Sequence, residues 1–196
     1  MLGNFETCFP ITMAWEGWHR FSNNPKDPGG KTYCGVTQRV WDAYCDRSGI
    51  PRCDVRMMSD AQCREIYREQ YWRAVHGDEL PAGVDLLVWD ICVNSGPDRA
   101  ARILQAACGA TIDGHIGMAA IAAAKAGDAR SIIRALHAGR LSFWHHLKTF
   151  ATFGKGWTNR EKDLLTRALL MVRPPIAPPA PVKTAPRTLF ATLFGG

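Results

Sequence analysis

No stretch of this sequence is apolar for long enough to cross a bilayer, which takes about 20 residues as a helix. No two cysteines have C-x-x-C spacing, and none of the six histidines pairs with a cysteine at ligand distance, so a zinc site is not expected. Nothing else in the chain implies a cofactor. Basic residues never form a run of five, so a dedicated nucleic-acid stripe is not expected. Strict period-two alternation is missing outside one short segment, which leaves little room for β-structure. The start of the chain has Glu6 and no basic n-region, which predicts no cleavable signal peptide.

What is present fits one globular domain with an appended tail. The 196 residues are 46% hydrophobic and 21% charged, with a net charge of +6 that favours an acidic partner such as nucleic acid, anionic lipid or a cell-wall polymer. The seven cysteines are odd in number and lie mostly in apolar periodic segments, so buried free thiols are expected. One or two disulfides become possible if the protein works outside the cytosol.

Helical patterns dominate. Residues 5–16 read as a helix, with the regular part placed at 8–16 so that Pro10 falls in the first turn. Residues 19–36 carry two prolines and three glycines, and predict a loop or short irregular hairpin. Thr37 caps a helix that Gly49 and Pro51 end. Ser59 and Gln62 form a capping box for a helix reaching His76. Val84–Val93 is apolar enough to be the central buried helix, and Pro97 starts the next one. An alanine-rich helix ends near Gly127, and Asp128 caps a longer one. Thr158 to Glu161 reads as a second capping box, opening a last helix to Val172. Six of the twelve prolines lie between 174 and 186, predicting an extended linker with a short apolar end.

The chemistry points to Met13-Ala14-Trp15-Glu16-Gly17-Trp18. A carboxyl that donates a proton near neutral pH needs surroundings that disfavour its charge. Two flanking indoles and the end of a helix stopped by Gly17 would supply them. A second carboxylate, Asp27, follows in a Pro- and Gly-rich loop, where it is either a catalytic partner or a turn residue before Pro28. Trp41, Trp89 and Trp144 lie on apolar faces and are expected in the core, whereas Trp18 and Trp72 are the candidates for stacking on a ligand. Asp85 and Asp90, inside the apolar helix, are expected to be paired or hydrogen-bonded structural carboxylates.

These segments resemble the lysozyme-like muramidases of glycoside hydrolase family 108, which include phage endolysins. The resemblance rests on Glu16-Gly17, Asp27-Pro28-Gly29-Gly30, Cys34-Gly35-Val36-Thr37, Tyr71-Trp72, Asp78-Glu79-Leu80-Pro81-Ala82-Gly83 and Val93-Asn94-Ser95-Gly96-Pro97. Asp113-Gly114-His115-Ile116-Gly117 and Phe153-Gly154-Lys155-Gly156-Trp157 resemble the peptidoglycan-binding region that accompanies the family's catalytic part. Two positions depart from the pattern. Trp18 stands where the family has a second glycine, and Tyr33 is displaced by one residue from the family's tyrosine.

The resemblance implies a mainly α, lysozyme-like fold with a small β-hairpin beside the active site. It implies a catalytic part at 1–83, a helical peptidoglycan-binding part at 84–172 packed as one unit with it, and a basic Pro-rich tail at 173–196. The substrate implied is peptidoglycan, cut between N-acetylmuramic acid and N-acetylglucosamine by a monomer without metal or cofactor. Glu16 would be the general acid and Asp27 its partner, with Trp18, Thr32, Tyr33, Thr37, Trp72 and Asn94 contacting water or sugar. An endolysin of this kind would collect in the host cytoplasm until a separate pore-forming protein let it reach the periplasm or wall. Two other readings remain at this stage. One is a silent peptidoglycan-binding module in which Trp18 blocks the cleft, and the other is a helical nucleic-acid binder suggested by charge alone.

Overall fold

The structure, a computed structural model, describes residues 4–23 and 30–172. The tail expected at 173–196 and the candidate Asp27 lie outside the described residues. Within them the chain is mainly helical with one small antiparallel sheet, as the sequence predicts.

Helix α1, Phe5–Glu16, begins earlier than expected and carries Pro10 in its interior. Phe5 explains the early start: it is fully buried and meets the edges of Trp72 and Trp89 at 5.5 and 5.7 Å. Pro10 removes one ladder hydrogen bond, but it lies on the exposed face, where water can take the freed carbonyl. Gly17 ends α1 in the left-handed conformation, at φ 73°, and its N–H closes on Met13 O.

Strands β1 (Phe21–Asn23), β2 (Lys31–Tyr33) and β3 (Val36–Thr37) pair in sequence order, with Ser22 opposite Thr32 and Tyr33 opposite Val36. The β2–β3 turn is Cys34-Gly35, both at positive φ (50° and 77°), the geometry of a type I′ hairpin. Gly35 has a second reason to lack a side chain: a Cβ there would come within 2.3 Å of the Tyr67 hydroxyl.

Thr37 caps α2 (Gln38–Ser48), and the Ser59–Gln62 capping box opens α3 (Asp60–Tyr67). The chain beyond α3 continues through a wider turn at Arg68–Trp72 and a tight one at Arg73–Val75 before His76 stops it at φ 53°. Helix α4, Val84–Ser95, is buried without a break from Val84 to Cys92 and forms the centre of the molecule. Around it pack α1, α5 (Pro97–Cys108), α7 (Ala129–His145) and α8 (Phe150–Met171), with α6 (Met118–Ala126) against α5 and α7. One hydrophobic cluster runs from Phe5 to Ala168 and joins both halves of the chain.

Helix α8 corrects the capping-box reading at Thr158. It starts eight residues earlier, at Phe150, and Thr158 Oγ1 donates back to Gly154 O at 2.7 Å as a mid-helix residue. Gly154 does not stop the helix because its missing side chain makes room for the Phe150 ring, which a Cβ would meet at 2.8 Å. The longer helix sets the direction of Arg160 and Glu161, and both are buried.

Candidate active site

Glu16 sits at the last turn of α1, ahead of the αL residue Gly17, and its side chain is 27% exposed. Among the described residues its nearest charged neighbour is Arg160 of α8, whose Nη2 approaches Glu16 Oε1 at 2.7 Å. The contact is an ion pair without an aligned hydrogen bond, and Oε1 is shielded from solvent. This corrects the expected setting. Trp15, predicted to wall off the acid, is 40% exposed and turns its Nε1 to Asp163 Oδ2 at 3.0 Å. Glu16 is paired instead with a guanidinium on a distant helix.

Arg160 is itself held. Its Nη2 and Nε grip Asp90 Oδ1 and Oδ2 at 2.8 and 3.2 Å, a two-pronged contact from α8 to the middle of α4. Arg140 Nη1 of α7 donates to the same Asp90 Oδ2 at 2.6 Å and to Glu161 Oε2 at 2.9 Å. Glu161 Oε1 then faces His137 Nδ1 at 3.3 Å. The carboxyls of Asp90 and Glu161 and the guanidinium of Arg140 are wholly buried. Burial works against the Asp90 carboxylate, but Arg140 and then Arg160 outweigh it and hold that carboxyl below its usual range. The expectation of a paired Asp90 is met. Asp85 is hydrogen-bonded, accepting from Asn4, Gly83 and Leu86.

Two phenols lie in the same region as Glu16. Tyr67 donates to Cys34 O at 3.1 Å and stacks on Tyr71 at 5.3 Å. Burial raises the Tyr67 phenol, with Cys63 and then Glu16 adding; burial also raises Tyr71, with Cys92 and then Glu16 adding. Both tyrosines therefore share the neighbourhood of the acid.

The other predicted site residues divide. Trp18 is half-buried, set edge-on to Phe9 at 5.1 Å and beside His19 at 5.0 Å, on the same side of the molecule as the Glu16 turn. Tyr33 reaches the His19 ring at 6.2 Å, and Thr32 is next to it on β2, half-buried. Thr37 is occupied as a cap, its Oγ1 accepting from Val40 N at 3.4 Å. Asn94 is exposed at the end of α4, where its Oδ1 accepts from Ser95 Oγ. Trp72 is a correction: it is fully buried, its Nε1 donates to Asp78 Oδ1 at 2.8 Å, and no ligand can stack on it. Gly77 marks the reason, since a Cβ there would meet the indole at 2.3 Å. Trp41, Trp89 and Trp144 are in the core as expected.

A groove of about 530 Å³ between α5 and α7 is lined by Arg99, Ile103 and Phe143 among others, with no carboxylate. A second groove of similar volume carries Asp42 and Asp54, but Arg56 and Lys31 hold the Asp54 carboxyl well below its usual range and Gln38 engages Asp42, so the Glu16 end of α1 is the candidate active site. Sequence reasoning missed Arg160 and Arg140. Their signal was charge in register with an apolar stripe: Arg160 and Glu161 fall in line with Trp157, Leu164 and Ala168, where a solvent-facing pair would not be.

Residues 9–96, which include Glu16 and Asp90, match the family model Glycosyl hydrolase 108. The chain is 38% identical to the solved structure titled "Structure of Brucella abortus SagA", with 88% of this chain and 97% of that one covered at a TM-score of 0.71. No curated protein matches the chain. With this identity over nearly the whole of a solved relative, and the family model spanning α1 to α4, the chain belongs to the glycosyl hydrolase 108 family and is a glycoside hydrolase of lysozyme-like fold.

Proposed function

We propose that the protein hydrolyses the glycan strand of peptidoglycan between N-acetylmuramic acid and N-acetylglucosamine, with Glu16 as the general acid. The observation that carries this reading is the placement of Glu16. One of its oxygens is engaged by Arg160 while about a quarter of the side chain stays open at the end of α1. Protonation of the glycosidic oxygen by this carboxyl lets the bond break as positive charge develops on the ring carbon and oxygen. Asp27 is our candidate for the second carboxylate, which either stabilises that charge or activates water. Trp18, Tyr33 and His19 supply aromatic surface for sugar rings. The net charge of +6 favours approach to an anionic wall.

The 27% exposure of the Glu16 side chain supports an accessible acid over the alternative of a binding module blocked by the Trp18 indole. The test is Glu16→Gln, assayed by turbidity loss of purified walls and by release of reducing sugar. Both signals are expected to fall by at least about a thousandfold with the fold unchanged. Full lysis by this variant would remove the muramidase reading. Wall binding by the wild type without reducing-sugar release would favour the silent module.

A further inference from the structure

The ionic network behind Glu16 is an expensive way to hold three helices together. Buried ion pairs commonly contribute no more than well-packed apolar residues of similar size, because both charges must leave water. Here Arg140 is wholly buried, and its Nε and Nη2 have no hydrogen-bond partner among the described residues. Its guanidinium lies over the Trp144 ring at 4.4 Å. Such a network calls for a reason beyond stability, and its outlet at the active site is Arg160.

We infer that Arg160 is the positioning residue of the catalytic acid: fixed by Asp90, it pins Glu16 Oε1 and leaves the other oxygen to exchange the proton with the substrate. The inference rests on the reading of Glu16 as general acid. Arg160 is suited to the task because it has no freedom of its own. Two of its nitrogens are engaged by Asp90, and Asp90 is in turn fixed by Arg140. Its side chain is 8% exposed.

The arrangement also settles an apparent conflict. A lone guanidinium beside a general acid would hold it ionised and unable to donate. Arg160 is not alone. Asp90 cancels its charge at 2.8 Å, and Glu161 cancels that of Arg140 at 2.9 Å, so Glu16 meets two nearly neutral pairs. Among the described residues, the other titratable groups around this cluster are His137 on Glu161, Tyr67 and Tyr71 on the α3 side, and Asp163, paired with Arg167, one turn beyond Arg160 on α8. Arg160 thus provides direction with little net field, provided that Asp90 stays ionised. None of Arg140, Arg160 and Glu161 lies within residues 9–96, so the second half of the chain supplies the setting of an acid carried by the first.

The test is a pair of substitutions that should act in opposite directions. Arg160→Gln removes the cation and leaves Asp90 in excess, so the alkaline limb of the pH profile of kcat/KM should move up by about one pH unit. Asp90→Asn leaves Arg160 uncompensated, so the same limb should move down by a similar amount. Arg160→Lys keeps the charge but cannot serve both carboxylates at once. It should lower kcat about tenfold with KM little changed, and its limb should stay near that of the wild type.

The assay is reducing-sugar release from purified walls by the full chain, with circular dichroism as the check on folding. If Arg160→Gln does not fold, the downward shift in Asp90→Asn and the kcat loss in Arg160→Lys decide the matter. Limbs that move in the same direction, or not at all, overturn the positioning role when Glu16→Gln is inactive. An active Glu16→Gln instead overturns the reading of Glu16 itself, so the two failures are told apart.

Discussion

Trp15 Nε1 donates to Asp163 Oδ2 at 3.0 Å, so α1 is tied to α8 one residue before Glu16 and one turn beyond Arg160. Asp163 is steadied by Arg167, whose Nε lies 2.9 Å from both of its oxygens. Two contacts therefore join the end of α1 to α8, and the outer one can be removed without touching the acid. Trp15→Phe keeps an aromatic ring and deletes the donor. For a contact this exposed the expected stability loss is roughly 0.5–1 kcal/mol, visible as a small drop in Tm. kcat should fall several-fold while wall binding is kept. An unchanged kcat would mean that Arg160 alone suffices to place Glu16.

Asp85 gives the fold a pH dependence with a defined sign. It accepts hydrogen bonds from Asn4 Nδ2 at 2.8 Å, Gly83 N at 2.8 Å and Leu86 N at 2.7 Å, yet burial outweighs them and pushes its carboxyl up to about 6. The folded state then binds this proton more tightly than the unfolded chain, whose aspartates titrate near pH 4. The stability contributed by the bound proton is complete below about pH 4 and is lost as pH rises through about 6, a change of up to about 3 kcal/mol. Urea unfolding of the wild type should show this decline between pH 4 and pH 7. Asp85→Asn should flatten it, and equal slopes for the two proteins would show that Asp85 is not the cause.

Features set by neighbours in sequence were legible beforehand. Gly17 after Glu16, Thr37 before α2 and the Ser59–Gln62 box each act within one helical turn, and each behaves as its residue type requires. What escaped depends on partners far along the chain. Gly154 looks like a helix breaker until the Phe150 ring is seen to occupy its missing side chain. Trp72 looks like cleft surface until Phe5 and Trp89 enclose it. Arg160 meets Asp90 only once α4 and α8 are packed, and local capping rules assigned its neighbour Thr158 to the wrong role. The candidate acid Glu16 could thus be chosen from sequence, whereas its partner Arg160 could not.

The cysteines allow a last prediction. Cys34 lies in the β2–β3 turn, its N–H donating to Arg20 O at 3.1 Å and its carbonyl accepting from Tyr67. Cys63 is one turn before Tyr67 on α3, so the bond that anchors Cys34 also brings it alongside Cys63. Both side chains are buried, and the Cys34 thiol adds to the rise of the Cys63 thiol. Burial raises both thiols, which keeps the reactive thiolate scarce and the pair slow to oxidise. Oxidised glutathione should nevertheless link them over hours, the two thiols giving two electrons and two protons to the glutathione disulfide. Exposed Cys53 should react with iodoacetamide first. The new bond would fasten the hairpin beside the acid to α3, and closing that loop should add about 3 kcal/mol to stability. Tryptic mass spectrometry should find peptides holding Cys34 and Cys63 joined and two hydrogens lighter. Recovery of all seven free thiols after prolonged oxidation would count against the pairing.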